Sequence, residues 1–238
     1  MAAPRPPVPG TASAPDAAPP AAPDAVPPRA PAATPPAAVV AILAGGRSRR
    51  MGTPKAGVLL DGRPLLEHAV AAVRSAGLIP VVVAKDDSLL PRTDAERWGE
   101  PAEPRHPLAG VAAALGRAGV PVVVLPVDLP RVPPGLLAHL AARPEPLVVV
   151  EGAGRLHPLL GRFDPRHAPA LAQAAAEGAP VVRTVRALGA VTVDGDVLAA
   201  FGDPAAYLVN VNRPEDLDSA RDTAPPDSGA AGAAAPPG

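Results

Sequence analysis

Residues 37–55 read AAVVAILAGGRSRRMGTPK, an apolar run that halts at Gly45-Gly46 and passes directly into a basic, glycine-bearing loop. The run at 37–43 is too short for a core helix and carries no polar face, so it predicts a strand buried on both sides within a parallel sheet. Working outward, Pro64 opens LLEHAVAAVRSAG, where Leu65, Leu66, Ala69, Val70 and Val73 recur at helical spacing and Gly77 supplies the stop. Strand and helix then alternate again: IPVVVA at 79–84, PLAGVAAALGRAG at 107–119 closed by Gly119, and PVVVLPV at 121–127. That alternation marks βαβ units around a parallel sheet.

Beyond Asp128 the pattern loosens. Pro133 and Pro134 start a helix reaching Ala142, and LVVVE at 147–151 and PLLGRF at 158–163 flank Gly152-Ala153-Gly154-Arg155, which reads as a tight turn between two strands. Helices are predicted near 165–177 and 181–188 and a strand at 190–194, and Asn212 is placed to cap a last helix that begins Pro214-Glu215-Asp216. The expected fold is a three-layer α/β/α, Rossmann-like domain with a mainly parallel mixed sheet and an inserted hairpin.

Composition sets the boundaries. The chain has 238 residues, of which 37 are proline, with 47% hydrophobic but only 2% aromatic residues, an unusual mix for one uniform globule. Proline and alanine dominate residues 1–37, and 222–238 lacks large apolar side chains, so neither end buries enough to offset its chain entropy. Two disordered tails around a domain at 38–221 are expected. The first tail carries no basic-flanked PxxP repeat, so it reads as an extended solvated arm rather than a docking ligand. With no cysteine, thiolate metal sites, disulfides and cysteine nucleophiles are excluded. A net charge of -1 and scarce aromatics argue against nucleic acid. Neither a membrane span nor a signal-peptide core is visible, and a cytoplasmic protein is the expectation.

In open parallel sheets ligands sit beyond the carboxyl ends of the strands. The loop after the first strand, Leu43 to Lys55, holds three glycines and four cations without an acid. Glycines let backbone N–H groups approach phosphate oxygens, Arg provides forked bonds and Lys a movable charge, a combination suited to a polyphosphate. The spacing matches neither a Walker A loop nor GxGxxG, and the plain alternative is a solvated basic turn. Asp128 follows the run VVVL between Pro126 and Pro130. It suits Mg²⁺, which on phosphate substrates uses one or two carboxylates plus phosphate oxygens and water. The plain alternative for Asp128 is a helix N-cap.

Five ordered segments carry a resemblance: LAGGRSRRMG followed by Lys55, Asp61-Gly62-Arg63-Pro64-Leu65-Leu66-Glu67-His68, Pro107-Leu108-Ala109-Gly110, Asp128-Leu129-Pro130, and Asn210-Val211-Asn212-Arg213-Pro214-Glu215-Asp216-Leu217. Across 38–221 the chain resembles the molybdenum cofactor guanylyltransferases, MobA-like members of the nucleotidyltransferase superfamily. Relatives that transfer cytidylyl groups usually begin Leu-Ala-Ala-Gly, so Leu43-Ala44-Gly45-Gly46 favours guanine, with a cytidylyltransferase acting on molybdopterin or another phosphomonoester as the alternative. The resemblance implies that GMP passes from GTP to the phosphate of molybdenum-molybdopterin with release of pyrophosphate. It implies that Leu43, Ala44, Gly45 and Gly46 contact the nucleotide, that Lys55 binds its phosphates, and that Asp128 binds GTP and Mg²⁺. Arg49 or Arg50 is read by charge as the holder of the leaving pyrophosphate. Two departures stand out. The family's frequent Asn after the second strand is replaced near Ala84, and the Asp expected before Pro107 is absent, Glu100 being the acid taken for that role. A monomer with transient contacts to molybdoenzymes or accessory proteins is expected.

Other polar residues have plainer readings. The five histidines lack metal-ligand spacing. Asn210 and Asn212 suit either a metal or phosphate or turn and cap formation, and Arg183 and Arg186 either an anionic pterin phosphate or a solvated helix face. With only Trp98, Phe163, Phe201 and Tyr207 as aromatics, a stacked aromatic cage for guanine or pterin is not expected.

Overall fold

The structure, a computed structural model, describes residues 38–45 and 54–222. Gly46, Arg49, Arg50 and the proline-rich ends lie outside the described residues. In chain order, β1 is Val39–Leu43, β2 Leu59–Leu60, β3 Arg63–Pro64, α1 Leu65–Ser75, β4 Ile79–Ala84, β5 Glu96–Gly99, α2 Pro107–Ala118 and β6 Val122–Pro126. The second half comprises α3 Pro134–Ala142, β7 Leu147–Gly152, β8 Arg155–Phe163, α4 Ala168–Ala176, α5 Val181–Ala187, β9 Val191–Val193, α6 Gly195–Ala199, α7 Pro204–Tyr207 and α8 Pro214–Asp222. Single 3-10 turns stand at Lys55–Gly57 and Pro165–His167.

Seven strands form one sheet in the order β5-β4-β1-β6-β8-β7-β9. The pairs β4–β5, β1–β4, β1–β6 and β7–β9 are parallel, and β8 runs antiparallel to β6 and β7, so the mainly parallel mixed sheet with its hairpin is as expected. The continuous apolar runs follow from burial on both faces. In β1, Val40 and Ile42 join a core with α1 and α3, while Ala41 joins the opposite core with α2 and α4; Val123 and Leu125 of β6 divide from Val122 and Val124 in the same way. Period-two side-chain alternation then places every residue of a central strand against a helix layer.

Caps and turns obey local chemistry. His106 accepts the Leu108 N–H through Nδ1 as N-cap of α2, and Gly119 ends that helix in the left-handed conformation at φ 64. The β7–β8 turn places Ala153 (φ 51) and Gly154 (φ 73) both at positive φ, as a two-residue hairpin turn with right-handed strand twist requires.

Three features depart from expectation. Residues 96–99 form an edge strand absent from the sequence reading, since Glu96 and Arg97 are exposed there and only Trp98 is buried, which leaves no apolar run to detect. Helix α8 reaches Asp222, one residue into the expected tail. Its start is tied not by the Asn212 side chain but by Asp216 Oδ2, which reaches back to accept from the N–H groups of Asn212 (2.7 Å) and Arg213 (2.8 Å).

Candidate active site

Strand register brings four chain-distant residues into one row. Leu43 of β1 stands beside Val83 of β4 and Pro126 of β6, and Val83 stands beside Trp98 of β5. The ladders continue one residue further, with Ala44 N–H donating to Val83 O (3.0 Å), Val127 N–H to Leu43 O (3.2 Å) and Glu100 N–H to Ala84 O (3.2 Å). Two positions beyond that register level lie Glu100, Lys85, Gly45 and Asp128, side by side along the carboxyl edge of the sheet. An open parallel sheet gathers ligands at this edge.

At one end of the row, Lys55 Nζ donates to Asp128 Oδ2 at 2.8 Å and to Asn212 Oδ1. Lys55 opens a 3-10 turn behind Pro54, anchored by the fully buried Ala56. Asn212 is brought in because Val211 N–H donates to the Asp128 carbonyl (2.9 Å), so the segment before α8 is strapped to the Asp128 loop. Asp128 is not the N-cap of the helix that follows, where Pro133 holds that position. Nor does Asn212 cap through its side chain, which the Lys55 ammonium engages. Asn210 Oδ1 accepts from Arg155 at 2.6 Å.

Asp128 Oδ1 is buried and has no hydrogen-bond partner among the described residues. A bare carboxylate oxygen in such a place is costly unless a ligand completes it. No group of three or more His, Cys, Asp or Glu side chains that would enclose a metal exists among the described residues. The donor set instead fits a hard cation held by one carboxylate oxygen, phosphate oxygens and water. His157 of β8 is also buried with Nε2 unpartnered; burial first, and the Arg155 charge second, lower its pKa, while the Asp128 charge opposes them.

The other end of the row is occupied by a buried pair. Lys85 Nζ stands 3.5 Å from Glu100 Oε1, with side chains only 7% and 8% exposed, and donates to the Pro101 carbonyl. Burial raises the Glu100 pKa, against the pull of the Lys85 charge. The Glu100 carboxylate fits where two glycines leave room. A Cβ at Gly45 would lie 2.5 Å from Oε1, and one at Gly110 of α2 would overlap Oε2. Glu100, nominated from sequence in place of the missing Asp, thus packs against Gly45 in the loop that follows the first strand.

Of the residues singled out from sequence, Leu43, Ala44, Gly45, Lys55, Glu100 and Asp128 all converge on this edge, while Gly46, Arg49 and Arg50 lie outside the described residues. Arg183 and Arg186 project from α5 as exposed residues, with Thr184 and Val185 forming its buried side. Lys85 and His157 escaped the sequence reading. Lys85 was visible in principle, as the first polar residue after the apolar run at 79–84; His157 carried no signal, because its burial beside Asp128 arises only from the folding of β8. No helix among the described residues is long and apolar enough to cross a membrane.

A mainly parallel sheet with a basic glycine loop after β1 and a Lys–carboxylate pair across its carboxyl edge defines a nucleotidyltransferase of the Rossmann-like type. The MobA-like NTP transferase domain family matches residues 40–195, and the chain belongs to that family. The chain is 35% identical over 191 residues to the molybdenum cofactor guanylyltransferase of Acidiphilium cryptum (strain JF-5), an alignment covering 75% of this chain and 91% of that one. Among solved structures, the molybdopterin-guanine dinucleotide biosynthesis protein A of Archaeoglobus fulgidus superposes with a TM-score of 0.67 at 27% identity, covering 77% of this chain and 97% of that one. The 2-C-methyl-D-erythritol 4-phosphate cytidylyltransferase of Thermus thermophilus shares the fold at a TM-score of 0.54 and 24% identity, covering 78% and 96%.

Proposed function

We propose that the chain transfers GMP from GTP to the terminal phosphate of molybdenum-molybdopterin, releasing pyrophosphate and forming the guanine dinucleotide cofactor. The observation that carries this reading is the Lys55–Asp128 contact at the carboxyl edge of the sheet, beside an unpartnered Asp128 Oδ1. An oxygen of the acceptor phosphate forms a bond to the α-phosphorus of GTP while the bond from that phosphorus to the bridging oxygen of the β-phosphate breaks. The acceptor phosphate is already ionised at neutral pH, so the site needs alignment and charge neutralisation rather than a proton-abstracting base.

Each residue has a role in that step. Leu43, Ala44, Gly45 and Gly46 present backbone to the nucleotide, and Glu100 faces its base. Lys55 uses two of its three N–H bonds on Asp128 and Asn212, leaving one to meet charge developing at the α-phosphate. Arg49 and Arg50 belong to the leaving pyrophosphate by their charge and place in the basic loop. Asp128 Oδ1 is the oxygen that would hold Mg²⁺. That ion would supply charge neutralisation on the phosphates.

The test is the consumption of nucleoside triphosphate in the presence of molybdopterin, molybdate and Mg²⁺, followed by pyrophosphate release. Turnover with GTP and none with CTP is expected. Turnover with CTP alone would replace the guanylyl reading by a cytidylyl one, and absence of turnover with either would remove it.

A further inference from the structure

We propose that Lys85 is a positioning residue for nucleobase selection, holding Glu100 as an ionised carboxylate in the notch between Gly45 and Gly110 so that it reads the guanine edge. This inference rests on the guanylyl reading above. It joins the two departures of this chain from its family's pattern: the residue next to Ala84 is Lys85, and the acid taken for the missing Asp before Pro107 is Glu100. Because Ala84 pairs with Gly99 in the β4–β5 ladder, the positions that follow them, Lys85 and Glu100, are neighbours in space although 14 residues of mostly irregular chain separate them.

The geometry limits what else the pair can be doing. A buried ion pair seldom stabilises a fold more than apolar packing would. Here the pair stands at the ligand edge rather than in either apolar core. Lys85 is itself braced, with Nζ on the Pro101 carbonyl and its own carbonyl accepting from Arg97. Glu100 is confined by the two glycine backbones, since any side chain at Gly45 or Gly110 would enter its space. A carboxylate so held has Oε1 against Gly45 and Oε2 against Gly110, and in its ionised form each oxygen has acceptor capacity beyond the Lys85 contact. Guanine presents two adjacent donors, N1–H and the 2-amino group, and cytosine has no such pair, so the carboxylate discriminates by its hydrogen-bond pattern. The protonated acid would present one donor and lose that match. Lys85 keeps the paired-acceptor form in place.

Binding of GTP, ITP and CTP to the full-length protein, measured by calorimetry with Mg²⁺, tests this without the acceptor. ITP keeps N1–H and lacks the 2-amino group, so it isolates one of the two contacts. Wild type binds GTP more tightly than ITP, whereas in Lys85→Met the affinity for GTP falls about 10- to 100-fold, the range of a charge-assisted hydrogen bond, and the GTP/ITP ratio approaches one. Lys85→Arg, which keeps the charge, retains the wild-type ratio. Lys85→Gln removes the charge while keeping an N–H donor, and serves where Lys85→Met fails to fold by circular dichroism. A folded Lys85→Met or Lys85→Gln protein with the wild-type GTP/ITP ratio overturns the positioning role alone. Wild-type protein that prefers CTP overturns the guanylyl reading and this inference together.

Discussion

Lys55 Nζ lies 2.8 Å from Asp128 Oδ2, joining two residues 73 positions apart at the carboxyl edge of the sheet, with both side chains still partly open to solvent. A pair of this exposure contributes little to stability. Its consequence is geometric, for it sets an ammonium against one carboxylate oxygen and leaves the other oxygen bare.

Separate removal of the two charges should therefore damage turnover far more than folding. Lys55→Ala is expected to lower kcat at saturating GTP by about 10²–10³-fold, the usual loss for one positioned charge-stabilising group. Asp128→Ala should abolish Mg²⁺-dependent turnover. Steady-state kinetics alongside thermal melts check both. Wild-type rates in either variant would remove that residue from the mechanism.

Gly110→Ala probes the Glu100 notch from the helix side. The new Cβ meets the far end of a flexible side chain, with Leu43 Cδ2 next nearest at 3.5 Å, so Glu100 swings away while the backbone holds. The expected outcome is a raised KM for GTP with a melting temperature close to wild type. An unchanged KM would show that Glu100 does not meet the nucleotide.

Gly161→Ala makes the opposite contrast. Near the end of β8 its Cβ would press on the Val148 carbonyl and approach Val149 Cα to 3.0 Å, both atoms belonging to the backbone of the neighbouring strand. Neither can rotate away. Overpacking against a sheet is expected to cost about 2–4 kcal/mol, measured by urea denaturation, without any specific effect on nucleotide selectivity.

Acid sensitivity should trace in part to His157. Burial depresses its folded-state pKa below the ordinary 6.5. The unfolded chain then binds a proton that the folded chain refuses, so stability is full above about pH 6.5 and falls as pH drops through the folded value. His167 is depressed by burial too and adds in the same direction. Melting temperatures across pH 5–8 should show this loss, and His157→Gln should flatten it.

Tyr207, the one tyrosine in the chain, donates its hydroxyl to the Leu198 carbonyl at 2.9 Å and has its pKa pushed up to about 12, chiefly by burial. Ultraviolet titration should show no phenolate near pH 10 in folded protein and ordinary ionisation in denaturant. Because the unfolded state ionises first, stability declines as pH rises above about 10. Ionisation near 10 in the folded state would mean that α6 and α7 do not cover the ring.

Most regular elements were legible because their physics is local. Apolar runs of five to six residues ending in glycine or proline mark doubly buried strands, and Gly119 in its left-handed position marks a helix end. Strand β5 was not legible, since an edge strand needs only one buried residue and Trp98 alone supplies it. The site divides the same way. Asp128 stands directly after a recognisable strand and Lys55 closes the basic glycine loop, so both could be nominated from sequence, whereas Asn212 read equally as a cap or as a metal or phosphate contact and is a partner of Lys55.

The linear chain alone determined the layered α/β architecture, the basic glycine loop and the candidate charges, because hydrophobic period and turn chemistry act over a few neighbouring residues. Only tertiary structure decided which charges meet. Parallel register sets Glu100, Lys85, Gly45 and Asp128 in one row, and the closure of the last segment over Asp128 brings Asn212 to Lys55. Such contacts depend on how strands far apart in sequence align, and no local pattern encodes that alignment.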